Sequence, residues 1–167
     1  IMKTIPTFLL AACFIGSQAK AQQEANPMLA NAQTFIDVPY VAHTLETDGE
    51  EDLVINCDEV DCTTFVEYVL ALSLPSASGN KMSESDFAAN LQRIRYREGK
   101  IDGYTSRLHY TSDWINNGVR GGFMEDVTAA NSPYTQKLSL SYMSSHPELY
   151  KHLSNSPENV TKMAEYE

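Results

Sequence analysis

The stretch DCTTFVE, residues 61–67, decides the fold that we expect for this chain. Asp61 is of a residue type that caps helix N-termini, and apolar residues follow it at helical spacing. We therefore expect a helix that begins at Cys62 and stops at Pro75 and Ser76. Its apolar face should consist of Phe65, Val66, Val69, Leu70 and Leu74.

The thiol of Cys62 would lie where a helix N-terminus favours negative charge. Backbone N–H groups in the first turn have no partner within the helix, and they form the positive end of the helix dipole. This environment stabilises a thiolate, which attacks carbonyl carbon, and the same N–H groups can bind an oxyanion. Alternatively, Cys62 is only a small core residue at a helix start, and position alone favours this second explanation.

Further helices are predicted on both sides of this stretch. Apolar spacing predicts one over about residues 25–36. Ser83 should cap another, which Gly99 closes and whose buried stripe consists of Phe87, Leu91 and Ile94. A last helix should start at Ser156 and continue to Glu167 without a stop signal, from which we expect the chain to be C-terminally truncated.

Extended and irregular segments lie between these helices. Residues 53–55 are expected to form a short strand or extended segment, and the alternation over residues 136–143 predicts an edge strand. Residues 100–135 should be irregular apart from a short helix near residues 113–117, and another short helix should start at His146.

Size and charge limit the classes of function. At 167 residues the chain is long enough for one domain with a sizeable core, and its net charge is −10. Because sequence-independent nucleic-acid binding needs a basic face, we expect no nucleic-acid partner. We also expect no transmembrane span, since a span needs about 18 or more consecutive apolar residues.

The first residues predict a targeting segment. Residues 1–21 contain Lys3, a short apolar run and the motif Ala19-Lys20-Ala21, which is typical of a signal-peptidase site. Alternatively, Leu10–Cys13 resembles a bacterial lipobox, in which Cys13 would carry a lipid anchor. Both interpretations predict export, either as a periplasmic or secreted protein or as a membrane-anchored lipoprotein.

Cys57 and Cys62 would be the cysteines of a mature chain that starts at Gln22. In an exported protein such a pair can form a disulfide, which would block a Cys62 nucleophile. No histidine has metal-site spacing to either cysteine, so we expect no metal and no cofactor.

Several motifs resemble one enzyme family. Residues 61–67 resemble the Asp-Cys-x-x-Phe-Val nucleophile motif of the NlpC/P60 superfamily, and Pro39-Tyr40 matches its upstream Pro-Tyr element. The closer resemblance is to the N-acetylmuramoyl-L-alanine amidase-like branch of that superfamily. It covers roughly residues 35–150 and is carried by residues 38–46, 61–67, 107–110, 112–115 and 143–147. His43 departs from it, since the family pattern usually has Gly there.

This resemblance implies an α+β, papain-like fold and hydrolysis of the amide between N-acetylmuramic acid and L-alanine in muropeptides. In the family the catalytic histidine lies downstream on the sheet, after a Gly-Asp element that is not found here. We therefore expect residues 22–167 to be the N-terminal part of a single amidase domain, with most of the sheet missing and no activity alone.

Seven residues are candidates for the site. The resemblance makes Cys62 the nucleophile, while His109 is its base, part of a substrate wall or supporting shell, or a residue of the scaffold. Substrate-binding or supporting roles are expected for Tyr40, Asp61, Arg107, His109, Tyr110 and Trp114. Two other classes stay open, namely a non-catalytic envelope module that binds wall fragments or a partner protein, and a disulfide-stapled protein without an active thiol.

Overall fold

The structure is a computed structural model that describes residues 26–77, 79 and 81–167. The predicted signal peptide over residues 1–21 and the alternative lipid anchor on Cys13 lie outside the described residues. Among the described helices, none is long and apolar enough to cross a membrane.

The described part of the chain is helical. Its α-helices are α1 (Pro27–Gln33), α2 (Cys62–Ser73), α3 (Glu84–Arg95), α4 (Thr111–Arg120), α5 (Thr128–Asn131), α6 (Tyr142–Ser145), α7 (Lys151–Ser154) and α8 (Pro157–Tyr166). Short 3₁₀ helices cover Arg97–Gly99, Tyr104–Ser106 and Pro147–Leu149. The helices predicted at Cys62, Ser83 and Ser156 are confirmed.

A side-chain cap starts α2 at the predicted residue. The Asp61 carboxylate accepts hydrogen bonds from the N–H groups of Thr63 and Thr64, at 3.0 and 2.8 Å. In return, the Thr64 hydroxyl accepts the Asp61 N–H at 2.8 Å, which completes a capping box. The cap fixes Cys62 as the first residue of the helix.

The predicted apolar face of α2 is confirmed in part, since Val69 is 6% exposed and Phe65, Leu70 and Leu74 pack against the hydrophobic core, but the buried face extends beyond it. Thr64, Glu67, Tyr68 and Ala71 recur at helical spacing and are at most 2% exposed, whereas Val66 is 41% exposed. A charged residue can join this face because Glu67 meets a buried arginine, Arg95, at the end of α3. On α3 the predicted stripe is confirmed, since Leu91 and Ile94 are fully buried and Phe87 packs against them.

The first hydrophobic cluster holds α1, α2 and α3 together. Its buried members are Val60, Tyr68, Ala71, Leu91 and Ile94. Phe35, which follows α1, stacks on Tyr68 with ring centroids 6.0 Å apart. The cluster makes α2 a rigid support for Cys62.

A second hydrophobic cluster joins the C-terminal helices to the segment after α3. Its buried members are Tyr104, Met143, Leu153 and Met163, from the Tyr104–Ser106 turn, α6, α7 and α8. The turn Tyr104–Ser106 leads directly into residues 107–109, and Leu108 of this segment donates its N–H to the Arg95 carbonyl at 2.9 Å.

The predicted α+β, papain-like fold is wrong for the described residues, which contain no strand. Backbone pairing between extended segments is limited here to isolated bridges, a parallel one at Tyr40 and Val60 and an antiparallel one at Tyr96 and Arg107. The edge strand predicted over residues 136–143 is absent, because residues 132–141 are irregular and α6 begins at Tyr142. The alternation there buries no face, since Leu138 is 61% exposed.

Candidate active site

A cavity of about 230 Å³ opens beside the thiol of Cys62. It is lined by Cys62, Thr63, Val66, Leu108, His109, Thr111 and Trp114. The cavity therefore brings together three of the predicted site residues, Cys62, His109 and Trp114. It also adds Val66 and Leu108 as apolar walls, neither of which was predicted from the sequence to belong to the site.

The segment that leads into Cys62 is held by a backbone bridge between residues 39–41 and Val60. Val60 donates its N–H to the Pro39 carbonyl and accepts the N–H of Val41, each at 3.0 Å. Tyr40 lies between these bonds with its side chain 69% exposed, near the start of α2 but outside the residues that line the cavity. The bridge places the predicted Pro-Tyr element beside the nucleophile.

His109 is held as a neutral imidazole. Its Nε2 lies 3.1 Å from the carbonyl oxygen of Tyr104. Because a carbonyl can only accept, Nε2 carries the proton and Nδ1 keeps the lone pair. Desolvation is the main cause that lowers the pKa of His109 to about 4, and the nearby positive charge of Arg107 lowers it further. The hydrogen bond to Tyr104 raises this pKa but does not offset the other two effects. At neutral pH the ring is therefore an oriented hydrogen-bonding group without charge.

Arg107 is buried beside this cavity and supports the loop before α2. Its guanidinium donates to the Glu46 carboxylate at 2.8 Å and to the Leu45 carbonyl at 3.1 Å, and Glu51 lies 3.3 Å from its Nε. Arg107 lines a neighbouring cavity and not the one at Cys62. The role of Arg107 in substrate binding stays a prediction.

The ion pair between Arg95 and Glu67 was not found from the sequence. The Nε of Arg95 lies 2.8 Å from the Glu67 carboxylate, and both side chains are almost completely buried. The available signal was the position of Glu67, which lies one helical turn from Thr64 and Ala71 on the buried face of α2. Its partner is distant in the sequence, so no local pattern links the two.

Tyr110 and Trp114 lie one helical turn apart, with the Trp114 N–H donated to the Tyr110 carbonyl at 2.9 Å, but their side chains have different surroundings. The hydroxyl of Tyr110 donates to Glu167 at 2.5 Å and accepts the N–H of Met143 at 3.1 Å, so this side chain ties α8 to α6 outside the Cys62 cavity. Trp114 lines the cavity, and its buried indole N–H has no acceptor in the described structure.

Both described cysteines are free thiols with exposed side chains. The pKa of Cys57 is raised, first by desolvation and then by the Asp58 carboxylate. The disulfide-stapled alternative requires a bond between Cys57 and Cys62, and the structure does not contain that bond. No group of three or more metal-ligand side chains occurs among the residues that the structure describes, and the expectation that no cofactor is needed stays a prediction.

Comparison with known proteins gives a family. The family described as AmiA-like, N-acetylmuramoyl-L-alanine amidase-like, matches residues 30–167. No curated protein matches. The wider NlpC/P60 assignment therefore stays a prediction, while the amidase-like branch is supported directly.

Solved structures agree with this match. An N-acetylmuramoyl-L-alanine amidase from Bacteroides uniformis is 70% identical, with a TM-score of 0.79 over 84% of this chain and 58% of its own. A protein from Bacteroides fragilis, described as a candidate xylanase, is 71% identical, with a TM-score of 0.78 over 83% of this chain and 60% of its own. The chain thus spans less than two thirds of the length of either relative. The chain belongs to the AmiA-like, N-acetylmuramoyl-L-alanine amidase-like family.

Proposed function

We propose that this protein is a peptidoglycan hydrolase that cleaves the amide between N-acetylmuramic acid and L-alanine in muropeptides, with Cys62 as the nucleophile. The observation that carries the proposal is the exposed Cys62 thiol at the capped N-terminus of α2, inside a cavity with polar and apolar walls. The amidase-like family and the amidase from Bacteroides uniformis support the choice of substrate.

The reaction follows from thiol chemistry. The sulfur of Cys62 attacks the carbonyl carbon of the lactyl amide, and a bond from sulfur to carbon forms. The bond from carbon to nitrogen then breaks, and the proton that the thiol loses passes to the nitrogen, so that the peptide leaves with a free L-alanine N-terminus. Water hydrolyses the resulting thioester, which releases the muramic acid carboxylate and restores the thiol.

The first turn of α2 supplies a donor for the oxyanion. Asp61 accepts the N–H groups of Thr63 and Thr64, which leaves the N–H of Cys62 as a first-turn donor without a partner in the helix or its cap. This donor belongs to the nucleophile residue itself, so it can reach the oxygen of the attacked carbonyl. Such a donor stabilises the negative charge that develops there.

His109 and Trp114 are assigned to holding the substrate. Because its pKa is about 4, His109 is a weak base at neutral pH, and we do not assign it the proton of the Cys62 thiol. Its Nδ1 can accept a hydrogen bond from an amide or hydroxyl group, and the unpaired indole N–H of Trp114 can donate one. Aromatic side chains such as Trp114 also pack against sugar or peptide.

A glycosidase function fits the site less well. Most enzymes that cleave glycosidic bonds use a pair of carboxyl groups on either side of the scissile bond. The residues that line the Cys62 cavity include no Asp or Glu. The amidase chemistry is therefore preferred over the activity in the description of the Bacteroides fragilis relative.

One observation favours a second candidate, an envelope module that binds wall fragments without cleaving them. His109 is the histidine that shares the cavity with Cys62, and its low pKa makes it a poor base. If residues 22–167 form only the N-terminal part of the amidase domain, as proposed from the sequence, the chain alone binds muropeptide and does not turn it over.

The test is turnover of N-acetylmuramoyl-L-alanyl-D-isoglutamine, followed by mass spectrometry of the products. The full-length protein is compared with the same protein carrying Cys62→Ala and with one carrying Cys57→Ala, which removes the other thiol that is free among the described residues. The proposal predicts release of L-alanyl-D-isoglutamine by wild type and Cys57→Ala only. Unchanged release by Cys62→Ala overturns it, and binding without release by all three proteins leaves the binding module as the function.

We also propose that the protein is exported. Residues 1–21 carry the signal-peptide pattern that motivates this proposal. The mass of the mature protein from cells tests it: a chain that begins at Gln22 supports a cleaved signal, a lipidated Cys13 supports the anchored alternative, and an unprocessed N-terminus contradicts both.

A further inference from the structure

A cavity of about 300 Å³, which we call the arginine cavity, is built from the last turns of α3 and α4 and the residues that follow them. None of its wall residues lines the cavity at Cys62. Its volume lies at the lower end of the range of small-molecule sites, which is about 300 to 1,000 Å³. The walls are formed by Arg93, Glu98, Gly99, Asn117, Arg120, Gly121 and Phe123.

Two glycines at the end of α4 allow the chain to fold back and form one wall of the arginine cavity. Phe123 donates its N–H to the Gly118 carbonyl at 3.2 Å. A Cβ atom at Gly121 would lie 2.7 Å from the Phe123 ring, and one at Gly118 would lie 2.5 Å from the sulfur of Met124. Because real Cβ atoms do not approach other atoms so closely, glycine at these positions permits the return that places the aromatic ring in the wall.

Arg93 presents a held cationic group to the arginine cavity. Its guanidinium carbon lies 5.6 Å from the centroid of the Phe123 ring, and its Nη2 donates to the Gly121 carbonyl at 3.3 Å. The residue is exposed, and no carboxylate of the described residues forms an ion pair with it. Its remaining N–H groups are therefore open to a ligand from solvent, in the planar fork that suits a carboxylate.

A second arginine adds to the positive charge of this region. Arg120 has a side chain that is 64% exposed and lies 3.9 Å from Asp113, whose closer partner is Arg97 at 2.7 Å. Glu98 lies 3.3 Å from Lys100. Together with the first arginine, four cationic side chains thus meet two carboxylates here, an excess of two positive charges in a chain whose net charge is −10. Such a local excess favours the binding of an anion.

α4 connects the arginine cavity to the Cys62 cavity. Trp114 lines the Cys62 cavity, and Arg120 lines the arginine cavity. Their separation in the sequence corresponds to about 9 Å along the helix axis. Because an extended peptide spans about 3.3 Å per residue, a carboxylate about three residues from the amide at Cys62 has a matching reach.

From these contacts we propose that the arginine cavity binds a carboxylate in the peptide of the wall fragment, with Arg93 and Arg120 as the groups that hold it. The inference rests on the proposed function for the identity of the fragment. The two guanidinium groups supply the donors, and the Phe123 ring offers an apolar surface to the aliphatic part of the same peptide residue.

A matched pair of probes tests the inference without turnover, on the full-length protein carrying Cys62→Ala as the parent. The acid probe is N-acetylmuramoyl-L-alanyl-D-isoglutaminyl-L-alanine, and the amide probe is the same compound with its carboxylate converted to a carboxamide. Isothermal titration calorimetry gives Kd for both probes. We expect the acid probe to bind about 3- to 10-fold more tightly at low salt, as for charge-assisted hydrogen bonds at an exposed site. High salt should reduce this ratio, because it screens exposed charges.

Single substitutions in the parent assign the ratio to the arginine cavity. Arg93→Gln and Arg120→Gln should each lower the affinity for the acid probe and leave that for the amide probe unchanged. The control is Lys137→Gln, which removes the same charge from an exposed residue that lines neither the arginine cavity nor the Cys62 cavity, and it should leave the ratio unchanged. Since Arg120 is mostly exposed, its replacement tests the site even if Arg93→Gln fails to fold.

Equal binding of the two probes by the parent, or binding of neither, overturns the inference. An unchanged ratio in the folded arginine variants overturns it too, and so does an equal fall of the ratio in Lys137→Gln. Failure of the proposed function has a different signature, because wild type would then release no peptide from either probe while the parent still bound the acid probe more tightly. Turnover of both probes by wild type, with equal affinities in the parent, refutes the carboxylate site alone.

Discussion

Arg95 donates its Nε–H to the carboxylate of Glu67 over 2.8 Å, in the interior between α3 and α2. Glu67 lies in the second turn of the helix that begins with Cys62, while Arg95 is the last residue of α3. Arg95 also donates to the Val54 carbonyl, ahead of the loop that leads to Cys62. This pair therefore connects α3 to α2, which carries Cys62, and to the segment that precedes it.

Replacing one partner of this ion pair should strongly destabilise the fold. We expect Glu67→Leu to lower the free energy of unfolding by about 3–5 kcal/mol, because it leaves a buried guanidinium without its counter-charge. The double variant Glu67→Leu with Arg95→Met should recover part of the loss. Urea unfolding followed by circular dichroism measures both. The control is Glu98→Gln, in the exposed pair with Lys100, which should change little. A Glu67→Leu midpoint equal to that of the control would refute the structural role.

The cap of α2 should contribute to both stability and activity. Asp61→Ala removes the acceptor of the Thr63 and Thr64 N–H groups and should cost about 1 kcal/mol. It should also lower kcat, since the first turn that presents Cys62 then frays. Asp61→Asn can still cap the helix and should retain most of the stability and most of kcat. Thermal unfolding and muropeptide turnover check this prediction, and equal behaviour of the Ala and Asn variants would count against it.

His109 should make stability depend on pH. The unfolded chain takes up the proton near pH 6.5 and the folded protein only near pH 4. The contribution of His109 to the free energy of unfolding is therefore complete above pH 6.5. It is lost progressively as the pH falls towards 4, by up to about 3 kcal/mol.

The measurement is the difference in unfolding free energy between pH 7 and pH 4.5, for wild type and His109→Gln. We expect a smaller difference in the variant, since it lacks the titrating ring. An identical difference in the two proteins would show that His109 titrates normally in the folded state.

Local features of the sequence predicted much of the helical framework. Asp61 marked the start of α2 because capping depends on residues that are adjacent in the chain. Ser83 and the stripe of Leu91 and Ile94 predicted α3 for the same reason. The buried face of α2 was only partly predicted, because Glu67 is acceptable inside only once Arg95 is near, and that contact is not local.

Local sequence patterns did not predict the absence of a sheet in the described part of the chain or the surroundings of every site residue correctly, because both depend on contacts between distant parts of the chain. The α+β fold came from a resemblance, and the alternating residues 136–143 have no neighbouring strand in the described structure. Cys62, His109 and Trp114 share one cavity, and their roles stay predictions, whereas Tyr110 lies outside it and donates its hydroxyl to Glu167. Periodicity cannot predict such a contact between α8 and the segment before α4.

The central claim is that Cys62 forms a covalent bond with the substrate, and mass spectrometry of the cysteine-containing peptides tests it most directly. The protein is mixed with N-acetylmuramoyl-L-alanyl-D-isoglutamine, quenched in acid and digested, and the cysteine peptides are compared. We predict an N-acetylmuramoyl thioester on the peptide that contains Cys62, present in Cys57→Ala and absent in Cys62→Ala. Turnover with no adduct on Cys62, together with full activity of Cys62→Ala, would contradict the account.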